Sequence, residues 1–433
     1  MFLYRKNEIN LLKEDFDKPN STLNFIFGRR KVGKSSLVNE YIKDKDTLYL
    51  ASFEIMITLL LNEFKKSIDT FFEIKSKEEL LSFDDLFDYI SKNKITNKIV
   101  IVLEDIHNLL KIDKDFLVNF NTYWTKYLKH MNIQFIITSS LLPNNFETLL
   151  ISKKIDNKLR LQSLSFNIIK KLLPKLTKDD AMYVYAAFGT NPKYLSLYNE
   201  KKDFILNIKD NYLTYDSFLY NEGMNIIKKD LGDAVTYSSI LYAISMGNSK
   251  IGDIGKFLNL KSSYLTRYLQ KLVDLMIINK IIPINDDPVK SKFGRYEIED
   301  NFLKFWFCYI YPNANSINSN NFYNVVKHIR SDFSKRHVNT AYKKHVFEVL
   351  QSDLERFFNY TPKKIGSWWN NKDFEIDFIA YDSKTITFVD CKWRKNNSIQ
   401  SEYELLEKKA KYFDTQLEKK YIIFSKKPNI SKK

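Results

Sequence analysis

The stretch Gly28-Arg29-Arg30-Lys31-Val32-Gly33-Lys34-Ser35-Ser36 constrains this chain more than any other. It follows the apolar run Leu23 to Phe27 and precedes a helix-patterned segment, SLVNEYI. The spacing Gly28-x-x-x-x-Gly33-Lys34-Ser35 between a strand and a helix is that of a phosphate cradle. Its glycines let the backbone curl so that N–H groups face an anion, and the helix N-terminus adds its positive dipole end. Lys34 is expected to reach the β- and γ-phosphates of ATP, and Ser35 to ligate Mg²⁺. Arg29, Arg30, Lys31, Val32 and Ser36 complete the nucleotide-binding loop.

The surrounding pattern suits that loop. LNFIF, TLYLAS, KIVIVLED and IQFIITSS read as short buried strands separated by helical or loop material. That is an α/β pattern, a parallel sheet covered on both faces. A phosphate cradle that works on ATP also needs a carboxylate at a neighbouring strand end. Glu104 and Asp105 close the run Ile99 to Leu103 and supply two. The first is expected to hold Mg²⁺ and the second to polarise the attacking water. Asp105 is one methylene shorter than Glu, which favours nucleotide binding over fast hydrolysis.

Length and composition bound the rest. The chain has 433 residues, 44% apolar and 15% aromatic, enough for two to four domains with large cores. No run of about 18 apolar residues occurs, so a membrane span is not expected. The opening MFLYRKNEINLL lacks the long apolar segment of a signal peptide. Cys308 and Cys391 lie far apart, without a CxxC, and the histidines show no ligand spacing. Neither a disulfide scaffold nor a zinc site is expected, which fits a reducing cytoplasm. The net charge of +16 suggests an anionic partner, nucleic acid first. A Lys-, Asn- and Ile-rich usage, as an AT-rich genome produces, accounts for it equally well.

From about residue 160 to 230 the strands vanish and LSFNIIKKLLPKL, DDAMYVYAAFG and PKYLSLYNEKKDF read as short helices. SSILYAISMG, KIGDIGKFLNL and SSYLTRYLQKLVDLMII predict three more helices, with IINKIIPI and GRYEIED as a two-stranded wing. This is the element order of a DNA reader, although such modules also serve as packing pieces. Ser262, Ser263, Tyr264, Thr266, Arg267 and Lys271 lie on or near the recognition helix, and Arg267 and Lys271 share a face. An Asn- and Ser-containing linker, YPNANSINSNN, precedes the last segment. There AYKKHVFEVLQSDLERFF predicts a helix, then KIGSWW, EIDFIAYD and TITFVDCKW three strands, SEYELLEKKAKYFDTQL a helix and KYIIFS a strand. The tail KKPNISKK reads as disordered.

Four stretches, FIFGRRKVGKSSLV, IVIVLEDIHNL, GTNPKYL and RYEIEDNFLKFWFCYIYPN, resemble the archaeal-type P-loop ATPase family of the STAND branch of AAA+-related NTPases. Arg5 and Glu8 stand in that family's opening Arg-x-x-Glu positions. The resemblance covers nearly the whole chain. It implies a P-loop ATPase core at 1–155, a helical lid at 156–230, a winged helix at 231–312 and a PD-(D/E)xK nuclease-like domain at 313–433. It also implies a strand between the P-loop and carboxylate strands whose terminal hydroxyl, Thr138 or Ser139, senses the γ-phosphate. The family's Gly-x-Pro nucleotide contact falls on Pro192, after Gly189-Thr190-Asn191. The usual Asp-Glu order is inverted in Glu104-Asp105, and Arg160 is a candidate arginine finger.

In the last segment, strand alternation places Asp390 and Lys392 on one face, with Asp377 facing the same pocket from the neighbouring strand. Glu348 on the preceding helix is expected to approach them. In the nuclease layout Asp377 and Asp390 hold Mg²⁺, while Lys392 orients or activates the water. Gly366 to Trp369 fits that layout too. Lys408 and Lys409 read as a solvated face, or else as phosphate contacts. Two functions follow. One is an ATPase whose nucleotide state is coupled to DNA binding or metal-dependent cleavage. The other is a regulatory switch with a degenerate, non-cleaving domain. Oligomerisation is left open.

Overall fold

A computed structural model describes residues 4–140, 154–287, 290–370, 374–393 and 398–426. Most of the tail KKPNISKK lies outside them. The chain divides into two compact units, Met1–Ser163 with the short piece Asp274–Met276, and Leu164–Val273 with Ile277–Lys433.

The first unit is built on five strands, β1 (Thr22–Phe27), β2 (Thr47–Ala51), β3 (Ile99–Glu104), β4 (Ile133–Ser139) and β5 (Asn157–Arg160). They pair in parallel in the order β2-β3-β4-β1-β5. β4 therefore lies between the P-loop strand and the carboxylate strand, the arrangement implied by the resemblance. The strands are near-continuous apolar runs because both faces are covered. On one face Phe25, Leu48, Ile101 and Phe135 pack with Phe64, Phe87 and Phe120. On the other, Ile26, Val100, Val102 and Ile136 pack with Leu12, Leu37 and Tyr41. Four strands are legible in the sequence and β5 is not. It is a four-residue edge strand in which only Leu159 is buried, so it carries no alternating pattern.

A buried polar network ties the first helix, Lys6–Phe16, to this sheet. Gln134 donates to Asn24 Oδ1 at 2.8 Å and to the Leu12 carbonyl at 2.9 Å. Tyr41 donates to Gln134 Oε1 at 2.6 Å, and Asn24 and Asn157 both donate to Asp15. Buried polar side chains of this kind hold a unique geometry because each would be costly unpaired.

In the second unit, helices Lys178–Phe188, Phe204–Tyr212, Phe218–Asp230 and Asn301–Phe305 enclose an aromatic core. Tyr212 lies against Phe188 and Phe305 with ring centroids 5.2 and 5.1 Å apart. Helices Ala234–Ser245, Ile251–Leu258 and Ser262–Asp274 follow, then the antiparallel pair β6 (Ile278–Ile281) and β7 (Arg295–Ile298). This is the helix–helix–helix–ribbon order expected. The Asn-rich stretch differs from the expected linker. It forms short helical turns at Tyr311–Asn313 and Ala314–Asn318, and Ile317 is buried. A helix then runs Tyr323–Phe333 and through a π-helical turn, Ser334–Val338, into Asn339–Ser352.

The C-terminal sheet is mixed: β8 (Lys364–Trp369), β9 (Glu375–Tyr381), β10 (Thr385–Lys392) and β11 (Glu418–Ser425), ordered β11-β10-β9-β8. β8, β9 and β10 are antiparallel, and β10 and β11 are parallel. Val346 and Leu350 of helix Asn339–Ser352 cover one face against Phe378, Val389 and Phe424. Tyr403, Leu406 and Ala410 of helix Ile399–Ala410 cover the other against Ile376, Phe388 and Ile423. The sheet and its two helices form an additional α/β domain.

Two histidines of this unit are held neutral by burial. Burial pushes His345 down to about 4, and burial followed by the charges of Lys304 and Arg336 pushes His337 well below its usual value. His337 Nε2 and His345 Nδ1 are buried with no hydrogen-bond partner among the described residues. A depressed folded value means the unfolded chain binds more protons below about pH 6.5, so stability is complete above that value and lost as pH falls. Thermal unfolding of the second unit should therefore drop between pH 7 and pH 4.5. In His337→Phe the drop should be shallower, as differential scanning calorimetry at both pH values would show.

Candidate functional sites

The P-loop, residues 28–33, turns from the end of β1 into helix Lys34–Tyr41. Gly28 is required by close approach, since a Cβ there would lie 2.4 Å from the Leu161 carbonyl oxygen. Gly33, the helix N-cap, has φ 102°, and nothing stands within 4 Å of where its Cβ would be. A side chain at Gly33 would strain the backbone as well as narrow the cradle. Lys31 also takes a positive φ, 65°.

Lys34 is buried, and its Nζ donates to the carbonyls of Gly28 at 2.9 Å and Arg29 at 3.3 Å and to Ser140 Oγ at 2.9 Å. The ammonium is thus aimed into the loop it must serve. Ser35 Oγ donates to Glu104 Oε1 at 2.5 Å. The serine hydroxyl and the carboxylate ending β3 converge on one point, and such oxygens suit Mg²⁺. The donor set and the open turn at Gly33 fit a magnesium-bound nucleotide. Arg29 is buried, while Lys31 and Ser36 are exposed.

Asp105 adopts φ 55° just past β3. Its N–H donates to Thr138 Oγ1 at 2.9 Å, and its Oδ1 lies 3.5 Å from Ser140 Oγ. The residues at the end of β4 thus divide their work. Thr138 fixes the Asp105 backbone, the Ser139 carbonyl accepts from Gly28 N–H at 3.2 Å, and Ser140 contacts Lys34. Sequence reasoning singled out Thr138 and Ser139 and passed over Ser140, one residue beyond the strand. It also missed His107, which is buried 3.4 Å from Arg30 Nη2 through Nε2 and accepts from Ser140 N–H at 3.4 Å. Arg5 pairs with Glu8 at 3.1 Å and donates to the loop carbonyl of Val32 at 3.1 Å and to Gln162 O at 2.6 Å. Arg160 is exposed at the end of β5. Pro192 opens a one-turn helix in the second unit, capped by Asn191, whose Oδ1 accepts from Lys193 N–H at 2.9 Å.

In the C-terminal sheet Asp377 and Asp390 come together across β9 and β10. Asp377 N–H donates to Asp390 Oδ1 at 3.3 Å, and Asp377 Oδ2 accepts from Cys391 N–H at 2.7 Å. Asp377 Oδ1 lies 2.6 Å from Lys343 Nζ. Asp390 Oδ2 lies 2.8 Å from Lys409 Nζ and 3.4 Å from Lys392 Nζ. Lys392 also faces Glu402 at 3.6 Å, and Lys343 faces Glu375 at 2.9 Å. Burial raises Asp377, an effect opposed by Lys343 and reinforced by Asp390. Burial works to lower Lys392, but Asp390, Glu402 and Asp377 outweigh it and the value rises. For Glu375, burial acts to raise the value, yet Lys343 and Arg295 bring it down to about 2.

Two expectations change here. Glu348 does not approach the aspartates. It accepts from Tyr185 OH at 3.0 Å and Phe166 N–H at 3.3 Å, because the helix turns Lys343, not Glu348, toward β9. Lys409 is not a solvated side chain, since it pairs with Asp390, while Lys408 is exposed. All four oxygens of Asp377 and Asp390 meet protein donors. Among the described residues no three His, Cys, Asp or Glu side chains are grouped as a metal site. As placed, these residues do not fit a divalent cation.

On the helix Ser262–Asp274, Arg267 lies over the rings of Tyr264 and Tyr268 at 5.0 and 4.8 Å and donates to Tyr268 OH at 3.0 Å. Tyr268 in turn donates to Asp233 at 3.2 Å. Ser262, Ser263, Tyr264 and Thr266 are exposed, and Lys271 is partly so.

Residues 2–198 match the family described as "ATPase domain predominantly from Archaea". Residues 306–409 match one described as "Archaea bacterial proteins of unknown function". The chain is 29% identical over 443 residues to an uncharacterized protein of Methanocaldococcus jannaschii, covering 99% of this chain and 96% of that one. Among solved structures it is similar to the Walker-type ATPase of Pyrococcus abyssi, with TM-score 0.51, 16% identity, 71% of this chain and 96% of that chain covered. A STAND protein with a tetratricopeptide repeat sensor from Pyrococcus horikoshii matches at TM-score 0.33 and 14% identity, over 83% of this chain and 51% of its own. The first unit thus has the fold of a P-loop ATPase, and the domain match supports nucleotide binding and ATP hydrolysis. No helix among the described residues is long and apolar enough to cross a membrane.

Replacing Lys34 with Ala should weaken ATP binding by at least about tenfold, the scale of one lost charge-assisted contact. Isothermal titration of the folded variant with ATP would measure it.

Proposed function

We propose that the protein is a Mg²⁺-dependent ATPase of the STAND type whose nucleotide state is coupled to DNA binding. The observation that carries the ATP reading is the convergence of Lys34, Ser35 and Glu104 around the open turn at Gly33. Ser35 and Glu104 would hold Mg²⁺, which supplies positive charge to the phosphates when bound. Lys34, already aimed into the loop, exchanges the carbonyls of Gly28 and Arg29 for phosphate oxygens. Asp105, fixed by Thr138 and close to Ser140, orients the attacking water. Its short side chain makes turnover slow. Pro192 serves as the nucleotide contact from a helical segment spanning 156–230, between an ATPase core at 1–155 and a winged helix at 231–312.

DNA is supported by the charge of +16 and by the exposed Ser263, Tyr264 and Thr266 on the third helix of the helix–ribbon module. Arg267, held by its own tyrosines, serves this surface as a fixed charge beside the rings. In the domain at 313–433 the helix Asn339–Ser352 and the short helix Leu354–Phe358 are followed by three strands, a helix and a strand, an order like that of the nuclease fold. A second reading, a switch whose C-terminal domain does not cleave, is favoured by Glu348 turning away from Asp377 and Asp390.

Glu104→Gln should retain ATP binding and lose on the order of 100-fold in hydrolysis, a few kcal/mol of barrier. Phosphate release at saturating Mg-ATP checks this; unchanged turnover removes Glu104 from the mechanism. Coupling predicts that fluorescence anisotropy of a labelled duplex differs between ATP, ADP and nucleotide-free protein. Identical curves would refute the coupling.

A further inference from the structure

In a metal-dependent nuclease of this layout, the two strand carboxylates leave oxygens open to a cation. Here each of those oxygens already has a protein donor. Asp377 Oδ1 takes Lys343 Nζ at 2.6 Å and its Oδ2 takes Cys391 N–H at 2.7 Å. Asp390 Oδ1 takes Asp377 N–H at 3.3 Å, and its Oδ2 takes Lys409 Nζ at 2.8 Å. We infer that Lys343 is the resident cation of this centre and that Asp377 and Asp390, saturated by protein donors, hold no divalent metal. The inference rests on the nuclease-like reading of the C-terminal domain and is independent of the ATPase reading.

The placement of Lys343 follows from helix geometry. Asn339, Lys343, Val346 and Leu350 recur at four-, three- and four-residue intervals along helix Asn339–Ser352, which puts them on one stripe. Val346 and Leu350 are buried against the sheet, and Asn339 Oδ1 accepts from Trp393 N–H at 3.2 Å. Lys343, on that same stripe, reaches Asp377 and Glu375. Glu348 is five residues further on and points elsewhere, so the helix contributes an ammonium and no carboxylate.

Charge balance supports the assignment. Four acids, Asp377, Asp390, Glu375 and Glu402, face four bases, Lys343, Lys392, Lys409 and Arg295. A divalent cation entering this neutral cluster would have to expel Lys343 and leave a largely enclosed ammonium without its partners, which is strongly unfavourable. Mg²⁺ and Mn²⁺ also need several oxygen ligands, and two saturated carboxylates do not provide them.

The test uses full-length protein without nucleotide or DNA and follows Mn²⁺ binding by electron paramagnetic resonance. Wild type and Asp377→Asn should take up the same amount of Mn²⁺. A wild-type Mn²⁺ site that disappears in Asp377→Asn overturns the inference. Lys343→Met, which keeps the packing methylenes, should lower the melting temperature, and adding Asp377→Asn should restore part of it, because no carboxylate is then left lacking its cation. A Lys343→Met protein as stable as wild type overturns the inference as well. Mg-ATP hydrolysis by the same wild-type preparation reports separately on the ATPase.

Discussion

The Lys34 ammonium organises the nucleotide end of this molecule. It is buried at the end of the parallel sheet, where it collects the carbonyls of Gly28 and Arg29 and the hydroxyl of Ser140. A buried ammonium must be surrounded by acceptors. Carbonyls of the P-loop and the hydroxyl of Ser140, just past β4, together satisfy that charge. Arg5 braces the other side through the Val32 carbonyl, while the network of Asp15, Asn24 and Gln134 locks the first helix to β1 and β4. The loop that would receive phosphate is therefore held in shape before any phosphate arrives, which lowers the entropic cost of binding.

The C-terminal sheet treats charge in the opposite way. In the P-loop a lysine is aimed at a turn open at Gly33. Around Asp377 and Asp390, lysines from two helices and from β10 close on carboxylates held together by backbone N–H groups. In one arrangement the cation is held by neutral carbonyl and hydroxyl oxygens; in the other it is paired with carboxylates. The same residue types thus make a nucleotide cradle in one unit and an ion-pair cluster in the other.

Much of the fold was legible in the sequence because it rests on patterns that local physics enforces. The continuous apolar runs mark buried parallel strands, and glycine spacing marks the cradle. The strands and the last helix of the C-terminal sheet are likewise written in the sequence, although the helix read over 341–358 is divided at Asp353 into Asn339–Ser352 and Leu354–Phe358. β5 escaped because an edge strand with one buried side chain has no period. The Asn-rich stretch at 311–318 looked like a linker because its composition is polar. It is ordered instead, with Ile317 buried.

The candidate sites divide along the same line. Gly28, Gly33, Lys34, Ser35 and Glu104 were legible in the sequence as one loop and the strand end beside it, since glycine spacing is local and the acid ends an apolar run. Ser140, His107, Lys343 and Lys409 were decided only by tertiary structure. Their roles depend on which way a helix or strand end faces once its apolar stripe is buried, and a rotation of a hundred degrees or so exchanges one neighbour for another. On helix Asn339–Ser352 that rotation turned Lys343 toward Asp377 and Glu348 toward Tyr185, a choice made by the packing of Val346 and Leu350.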